Sequence, residues 1–259
     1  AIKFQLAQPD AVYSADAFKA DYQKTNDGAG SVIEMSRRLQ LPRDTHRSLQ
    51  RACAEVGITY LCTAFDLGSL EFLDRVLNVP RFKVASGELL SIDMLEYMAE
   101  QRKPVLLSTG MASIEEVRQA LSILTEKGLQ DITLLHCVSN YPAPHEDMNV
   151  LAMEELRRQF GYQVGLSDHS IGPEACLAAV ALGARVIEKH VTLDKSLPGP
   201  DHKASATIDE FTDLVASVRR VESTLGSSTK VFSDAEAGIR RMARKSIVAA
   251  RDIAPGTLI

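Results

Sequence analysis

A unit repeats along this chain, and it constrains the fold more than any other feature: an apolar strand-like run, a helical stretch, a glycine, then the next strand. The strand runs are AIKFQ (1–5), ITYLCTAF (58–65), RFKVASG (81–87), PVLLSTG (104–110), DITLLHCVSN (131–140), YQVGLSDH (162–169) and ARVIEKHV (184–191). Apolar character on both faces of these runs fits parallel strands covered by helices. Between them, Ser113 with Glu116, Thr207 with Glu210 and Ser233 with Glu236 match the capping box, in which side chains satisfy the free N–H groups of a first helical turn. Gly57, Gly128, Gly161 and Gly183 fall where a helix exit needs a left-handed residue. The repetition predicts an α/β protein with a parallel sheet.

Polar residues at the strand ends choose between an open sheet and a barrel. No Gly-rich G-x-G-x-x-G follows a strand, which argues against a dinucleotide-binding open sheet. Nearly every strand instead finishes in polar groups: Lys3 and Gln5, Thr63 and Asp66, Lys83 with Ser86 and Glu88, Ser108 and Thr109. The later strands end in Ser139, Asn140 and Tyr141, in Ser167, Asp168 and His169, and in Glu188, Lys189 and His190. An open sheet needs such groups only beside its switch point, whereas a (β/α)8 barrel aims all its strand ends at one central site. The expectation is therefore a TIM barrel. Seven strands are visible, and the expected eighth is the first of the barrel, with its helix, on the N-terminal side of Ala1. Two βα loops, roughly 6–31 and 192–206, are long enough to be binding loops or lids.

Composition narrows the partners. A net charge of −5 argues against nucleic acid or an anionic membrane as the main partner. The longest apolar run, CLAAVALGA, is too short to cross a bilayer. Cys53, Cys62, Cys137 and Cys176 are scattered with no C-x-x-C pair, so reduced thiols and a cytoplasmic location are expected, in keeping with the lack of a signal-peptide pattern at the start.

His169 and His190 end adjacent strands about 4.8 Å apart, so their imidazoles can reach one ion. Two imidazoles leave coordination positions open, which suits a catalytic divalent metal better than a closed structural zinc. The plainer reading is that each simply hydrogen-bonds at the barrel rim. Lys3 and Lys83, with Ser86, Ser108 and Ser167 nearby, could hold a phosphate and a carboxylate. Alternatively they pair with Glu88, Asp66 or Glu188 in an ion network, or one serves as a Schiff-base nucleophile. Glu88 and Asp201 are placed for proton transfer or sugar hydroxyls, unless they are exposed loop charges. His136 reads as a satisfied core residue and His46 and His145 as surface positions. Arg240, Arg241, Arg244 and Lys245 read as a solvated face or domain contact on a late amphipathic helix.

The motifs KFQ, KVASGE, LLSTGMAS, LLHCVSNYPAP, GLSDHSIG, VALGARVIEKHVTLD and LPGPDHKAS, in this order over nearly the whole chain, resemble the bacterial N-acetylneuraminate (sialic acid) synthase family, on its neuraminate and legionaminate side. The resemblance implies a barrel over residues 1–230. RKSIVAARDIAPGTLI resembles the linker and opening strand of that family's antifreeze-like domain, which sets residues 231–259 apart. It implies condensation of phosphoenolpyruvate with N-acetylmannosamine, or a modified relative, to give a nine-carbon 2-keto acid and phosphate. His169 and His190 would then ligate a divalent ion, manganese first, with magnesium or cobalt as alternatives. Lys3, Thr63, Lys83, Ser86, Ser108 and Ser167 would grip phosphoenolpyruvate; Gln5, Glu88, Tyr141 and Asp201 would face the sugar, with Glu88 as general acid or base. Ser139 stands where some members carry Asn, which bears on which sugar fits. The family's first strand brings a metal-proximal acidic residue not found in this chain, and its small domain reaches into a partner's site, implying a homodimer. A Schiff-base aldolase and a non-catalytic sugar-binding barrel remain the competing readings.

Overall fold

The computed structural model describes residues 1–258. Seven strands form one parallel sheet in sequence order: β1 (Ile2–Leu6), β2 (Tyr60–Ala64), β3 (Phe82–Val84), β4 (Val105–Ser108), β5 (Ile132–Cys137), β6 (Gln163–Asp168) and β7 (Ile187–Lys189). Each of β2 to β7 lies inside a run expected from sequence, β1 extends one residue past its run to Leu6, and the last is trimmed to three residues. The helices between them are α1 (Pro9–Val12), α2 (Asp21–Asp27), α3 (Val32–Leu39), α4 (Arg43–Glu55), α5 (Leu67–Arg75), α6 (Ile92–Gln101), α7 (Ile114–Glu126), α8 (Ala152–Phe160) and α9 (Glu174–Ala181). A short parallel pair, β8 (Val191–Thr192) and β9 (Ala206–Thr207), precedes α10 (Ile208–Leu225), and α11 (Glu236–Ala243) comes last. The chain divides into two compact units, Ala1–Thr224 and Leu225 onward. No helix among the described residues is long and apolar enough to cross a membrane.

The sheet curls into a half-barrel. Laid flat, seven strands would span about 29 Å at about 4.8 Å per neighbour. Yet Lys3 Nζ on β1 and Glu188 Oε2 on β7, the two edges, are 4.0 Å apart. Only a sheet rolled toward closure brings those side chains together.

Strand periodicity builds two layers inside the curl. Leu61, Leu106 and Leu135 pack with Val186 as an apolar floor. Two residues further along the same strands stand Thr63, Ser108, Cys137 and Glu188, so the floor gives way to a polar layer toward the C-terminal ends. Gly165 allows the last strand to close in: a Cβ there would lie 2.3 Å from the Val186 carbonyl oxygen. The outer sheet face carries the main core against the helices, with Phe82, Leu107 and Leu134 fully buried.

Local signals are realised in most places. Glu116 N donates to Ser113 Oγ at 3.3 Å and Ser113 N to Glu116 Oε2 at 2.7 Å, closing the box on α7, and Thr207 with Glu210 does the same on α10. Ser233 with Glu236 makes half of it: Ser233 N donates to the carboxylate, but Glu236 N donates to the Ser233 carbonyl, and α11 starts at Glu236 itself. Gly57, Gly128, Gly161 and Gly183 all take positive φ.

His46 departs from the expected surface position. It is fully buried under α4, its Nδ1 2.7 Å from the Tyr60 hydroxyl and its ring edge-on to Phe4. A polar helix hid this, because one inward-facing residue leaves little periodic trace. His136 is satisfied by the Met148 carbonyl at 2.8 Å, and His145 is exposed. All four cysteines are buried and free. Arg240, Arg241, Arg244 and Lys245 are exposed, with the Arg240 guanidinium 4.3 Å above the Phe232 ring.

Candidate functional site

The polar layer floors a pocket at the C-terminal ends of the strands. Its wall includes Lys3, Gln5, Thr63, Lys83, Ser86, Ser108, Ser139, Tyr141, Ser167, His169 and His190. All eleven are residues singled out from sequence.

Lys83 and Glu188 set the electrostatics. The Lys83 ammonium is buried, donating to Ser108 Oγ at 2.7 Å and the Val84 carbonyl at 2.9 Å, with Glu188 Oε1 at 3.7 Å. Burial pushes its pKa down to about 8, and Glu188 resists that fall. Glu188 experiences the reverse: burial raises it, but Lys83 and Lys3 outweigh that and hold it at about 2. Ser167 Oγ donates to the same carboxylate at 2.7 Å. Two lysines thus share one carboxylate, so the ion network foreseen as the plain alternative is present. It leaves one positive charge uncompensated, which suits a phosphate or carboxylate ligand. Among the described residues Thr63 Oγ1, buried beside these groups, has no hydrogen-bond partner.

The two histidines face each other above this floor. Their ring centroids are 5.2 Å apart, nearly perpendicular. His169 Nδ1 lies 2.7 Å from the Val138 carbonyl. A carbonyl only accepts, so Nδ1 carries a proton and Nε2 is the nitrogen left for a ligand. Metal-binding imidazoles are usually oriented in this way. In the His169 ring burial lowers the pKa, but Cys137 and the Val138 carbonyl outweigh it and leave the pKa raised. Burial, then His169 and Lys3, lower the His190 pKa to about 3, which keeps its ring neutral. Two imidazoles facing each other, with the Asp201 Oδ2 atom 3.7 Å from His190 Nδ1, fit a divalent cation, which would displace any proton on His169 Nε2. Among the described residues no group of three or more His, Cys, Asp or Glu side chains converges on a cation position. The protein would supply two ligands and leave the other positions to water and reactants.

Asp201 adjoins the pocket through His190, with one buried oxygen unpartnered among the described residues. Glu88 is not brought to it. Its carboxylate accepts from Ser91 Oγ in a neighbouring cavity with Gln8, Asp66 and Asp93. The backbone explains this: β3 ends at Val84 and a 3-10 turn over Ser86–Glu88 swings Glu88 away from the strand direction.

Among the other wall residues, Cys137 and Tyr22 were not foreseen, and Glu188 was foreseen only as a strand-end charge and a possible ion partner of the lysines. Glu188 lies two positions before His190 on one strand, so the period of two could have found it. Cys137 pairs in register with Ser167 and sits 3.7 Å from His169 Nδ1. Tyr22 comes from the loop after β1 and leaves no local signal. Gly110 is packed at the wall: its N–H donates to Ser86 Oγ at 3.0 Å, and a Cβ would come within 2.4 Å of Ser139 Oγ.

The profile of the NeuB family matches residues 1–230. The chain is 42% identical to an N,N'-diacetyllegionaminic acid synthase of Legionella pneumophila, covering 100% of this chain and 74% of that protein. It is 36% identical to the N-acetylneuraminate-9-phosphate synthase of Homo sapiens, covering 99% of this chain and 71% of that protein. Among solved structures, the N-acetylneuraminic acid (sialic acid) synthetase of Leptospira borgpetersenii in complex with citrate superposes with a TM-score of 0.81 at 31% identity, covering 95% of this chain and 82% of that one.

Proposed function

The chain belongs to the NeuB family, and we propose that it condenses phosphoenolpyruvate with N-acetylmannosamine or a modified N-acetylated hexose, giving a nonulosonic acid and phosphate. One observation carries this reading: a surplus positive charge on Lys3 and Lys83 shares one pocket with two facing imidazoles.

Lys3 and Lys83, with Ser86, Ser108, Ser167 and Thr63, hold the phosphate and carboxylate of phosphoenolpyruvate. The buried Thr63 hydroxyl gains an acceptor when that ligand arrives. Gln5, Ser139, Tyr141 and Asp201 face the sugar. His169 and His190 hold a divalent cation, manganese first and magnesium or cobalt as alternatives, which when bound would act as a Lewis acid on the open-chain aldehyde. With both reactants held in line, C3 of phosphoenolpyruvate forms the new bond to the aldehyde carbon. Positive charge then develops at C2, water adds there, and the C2–O bond to phosphate breaks. Holding the pair together removes much of the entropic barrier. Proton transfer by Glu88 is not part of this scheme, because its carboxylate is held on Ser91 in the next cavity.

The same reading extends to the rest of the molecule. An eighth parallel strand between the free edges of β1 and β7 would close the barrel, which the 4.0 Å approach of Lys3 to Glu188 supports. On the sequence resemblance, residues 231–259 lead into an antifreeze-like domain, and the working form is a cytoplasmic homodimer.

The test is phosphate release from phosphoenolpyruvate with a panel of N-acetylated hexoses, with and without manganese. Metal-dependent release with at least one sugar is expected, and no release with any of them would refute the reading. A second reading has one observation behind it: the low pKa and burial of Lys83 are those of a Schiff-base nucleophile. Borohydride in the presence of pyruvate decides it, because only an aldolase would be trapped covalently.

A further inference from the structure

The long loop after β1 is built as a fixed tile above the pocket. Lys19 Nζ donates to Asp27 Oδ2 at 2.6 Å and to the Gly28 carbonyl at 3.1 Å, and Arg38 on α3 donates to the same Asp27 carboxylate. The side chains of Lys19 and Asp27 are only 3% and 7% exposed, a degree of burial that surface loop charges rarely reach. This clamp closes α2 onto its own flanks. Asn26 Nδ2 then donates to the Pro200 carbonyl at 2.7 Å, joining the tile to the second long loop, 174 residues further along the chain. The two loops that flank the pocket mouth are thereby latched to each other.

Beneath the tile, Tyr22 reaches the pocket wall. Its ring stacks on Tyr141 with centroids 5.1 Å apart and planes 28° from parallel, and Tyr141 in turn lies 4.0 Å from the His169 ring. Tyr22 is therefore the outer member of an aromatic pile that starts at the histidine pair. Burial, and the charge of Asp201 beside it, push its hydroxyl pKa up, so it remains a hydrogen-bond donor at every working pH. The anion-holding lysines belong to the strand layer that floors the same cavity, with Lys83 buried there, whereas Tyr22 comes from the connection after β1.

We infer that Tyr22 is a specificity-determining positioning residue for the sugar, held in place by the Asn26–Pro200 latch. The inference rests on the functional reading above and extends it to a residue that the strand-end pattern does not reveal. An aromatic face at the mouth meets the C–H face of a hexose or the methyl of its N-acetyl group, while its hydroxyl donates toward sugar oxygens. Phosphoenolpyruvate, held by the strand-borne lysines and serines, would not depend on it.

Steady-state kinetics with both substrates varied, together with hydrogen exchange, test this. Tyr22→Ala is expected to raise the sugar KM at least tenfold and change the phosphoenolpyruvate KM less than twofold, with the melting temperature kept. Tyr22→Phe, which preserves the stack, recovers most of the loss. Asn26→Ala is expected to speed amide exchange over residues 20–28. An unchanged sugar KM in Tyr22→Ala, or an equal rise in both KM values, overturns the positioning role, and unchanged exchange in Asn26→Ala overturns the latch. A wild type that turns over no N-acetylated hexose sinks the functional reading and the sugar role together, and exchange alone then decides the latch.

Discussion

Lys83 is fully enclosed, yet it must attract an anion, and its environment tunes that conflict. Burial brings its pKa to about 8, while Glu188, held at about 2, stays ionised throughout the working range. The sign follows directly: Lys83 is charged below pH 8 and loses its proton above it. Affinity for an anionic substrate should then be full at neutral pH and fall as pH climbs through 8. We expect the KM for phosphoenolpyruvate to be flat from pH 6.5 to 7.5 and to rise by up to about tenfold per pH unit above 8. A KM that stays flat to pH 10 would remove Lys83 from the anion site. Sequence exposed Lys83 because lysine is uncommon at the end of an apolar strand. It offered Glu188 as one of three candidate ion partners beside Glu88 and Asp66, and could not choose among them, because the choice depends on β1 and β7 approaching through the curl.

At the scale of the element, β7 shows why so much charge collects at one strand end. Glu188 and His190 alternate onto the pocket face, while Lys189 points the other way and donates to Asp168 Oδ2 at 2.7 Å and to the Ser170 carbonyl at 2.8 Å. Asp168 also accepts from Ser170 N and Oγ and from Cys176 Sγ, so the end of β6 and the backbone of His169 are pinned from behind. Lys189→Met should leave Asp168 as an uncompensated buried charge and cost about 3–5 kcal/mol in urea unfolding. A loss under 1 kcal/mol would show that the pair is not needed. Gly165→Ala tests the adjacent contact. With the Val186 carbonyl 2.3 Å from the new Cβ, β6 and β7 must part, and we expect a loss of about 1–3 kcal/mol in the same assay. Period-two alternation made the strands legible. The extent of β7 was not, because Val186 belongs by pattern to a strand but serves as the last member of the apolar floor.

For the whole molecule, what sequence disclosed was the repeated unit and its polar ends: seven strands in order, and eleven expected side chains in one pocket. What it concealed came from turns and loops. Glu88 was carried off by a 3-10 turn, His46 was buried by a helix whose other positions are polar, and Tyr22 arrived from a loop whose path no local pattern dictates. Strand direction is fixed by local chemistry, so strand-end residues could be assigned; loop residues are placed by tertiary contacts such as Asn26 to Pro200. The scheme depends most on His169 and His190 sharing one cation. Manganese binding followed by electron paramagnetic resonance tests that claim without relying on turnover. One ion per chain is expected in the wild type, with affinity weakened more than about 100-fold in both His169→Ala and His190→Ala. No bound manganese in the wild type, or equal affinity in either variant, would contradict it.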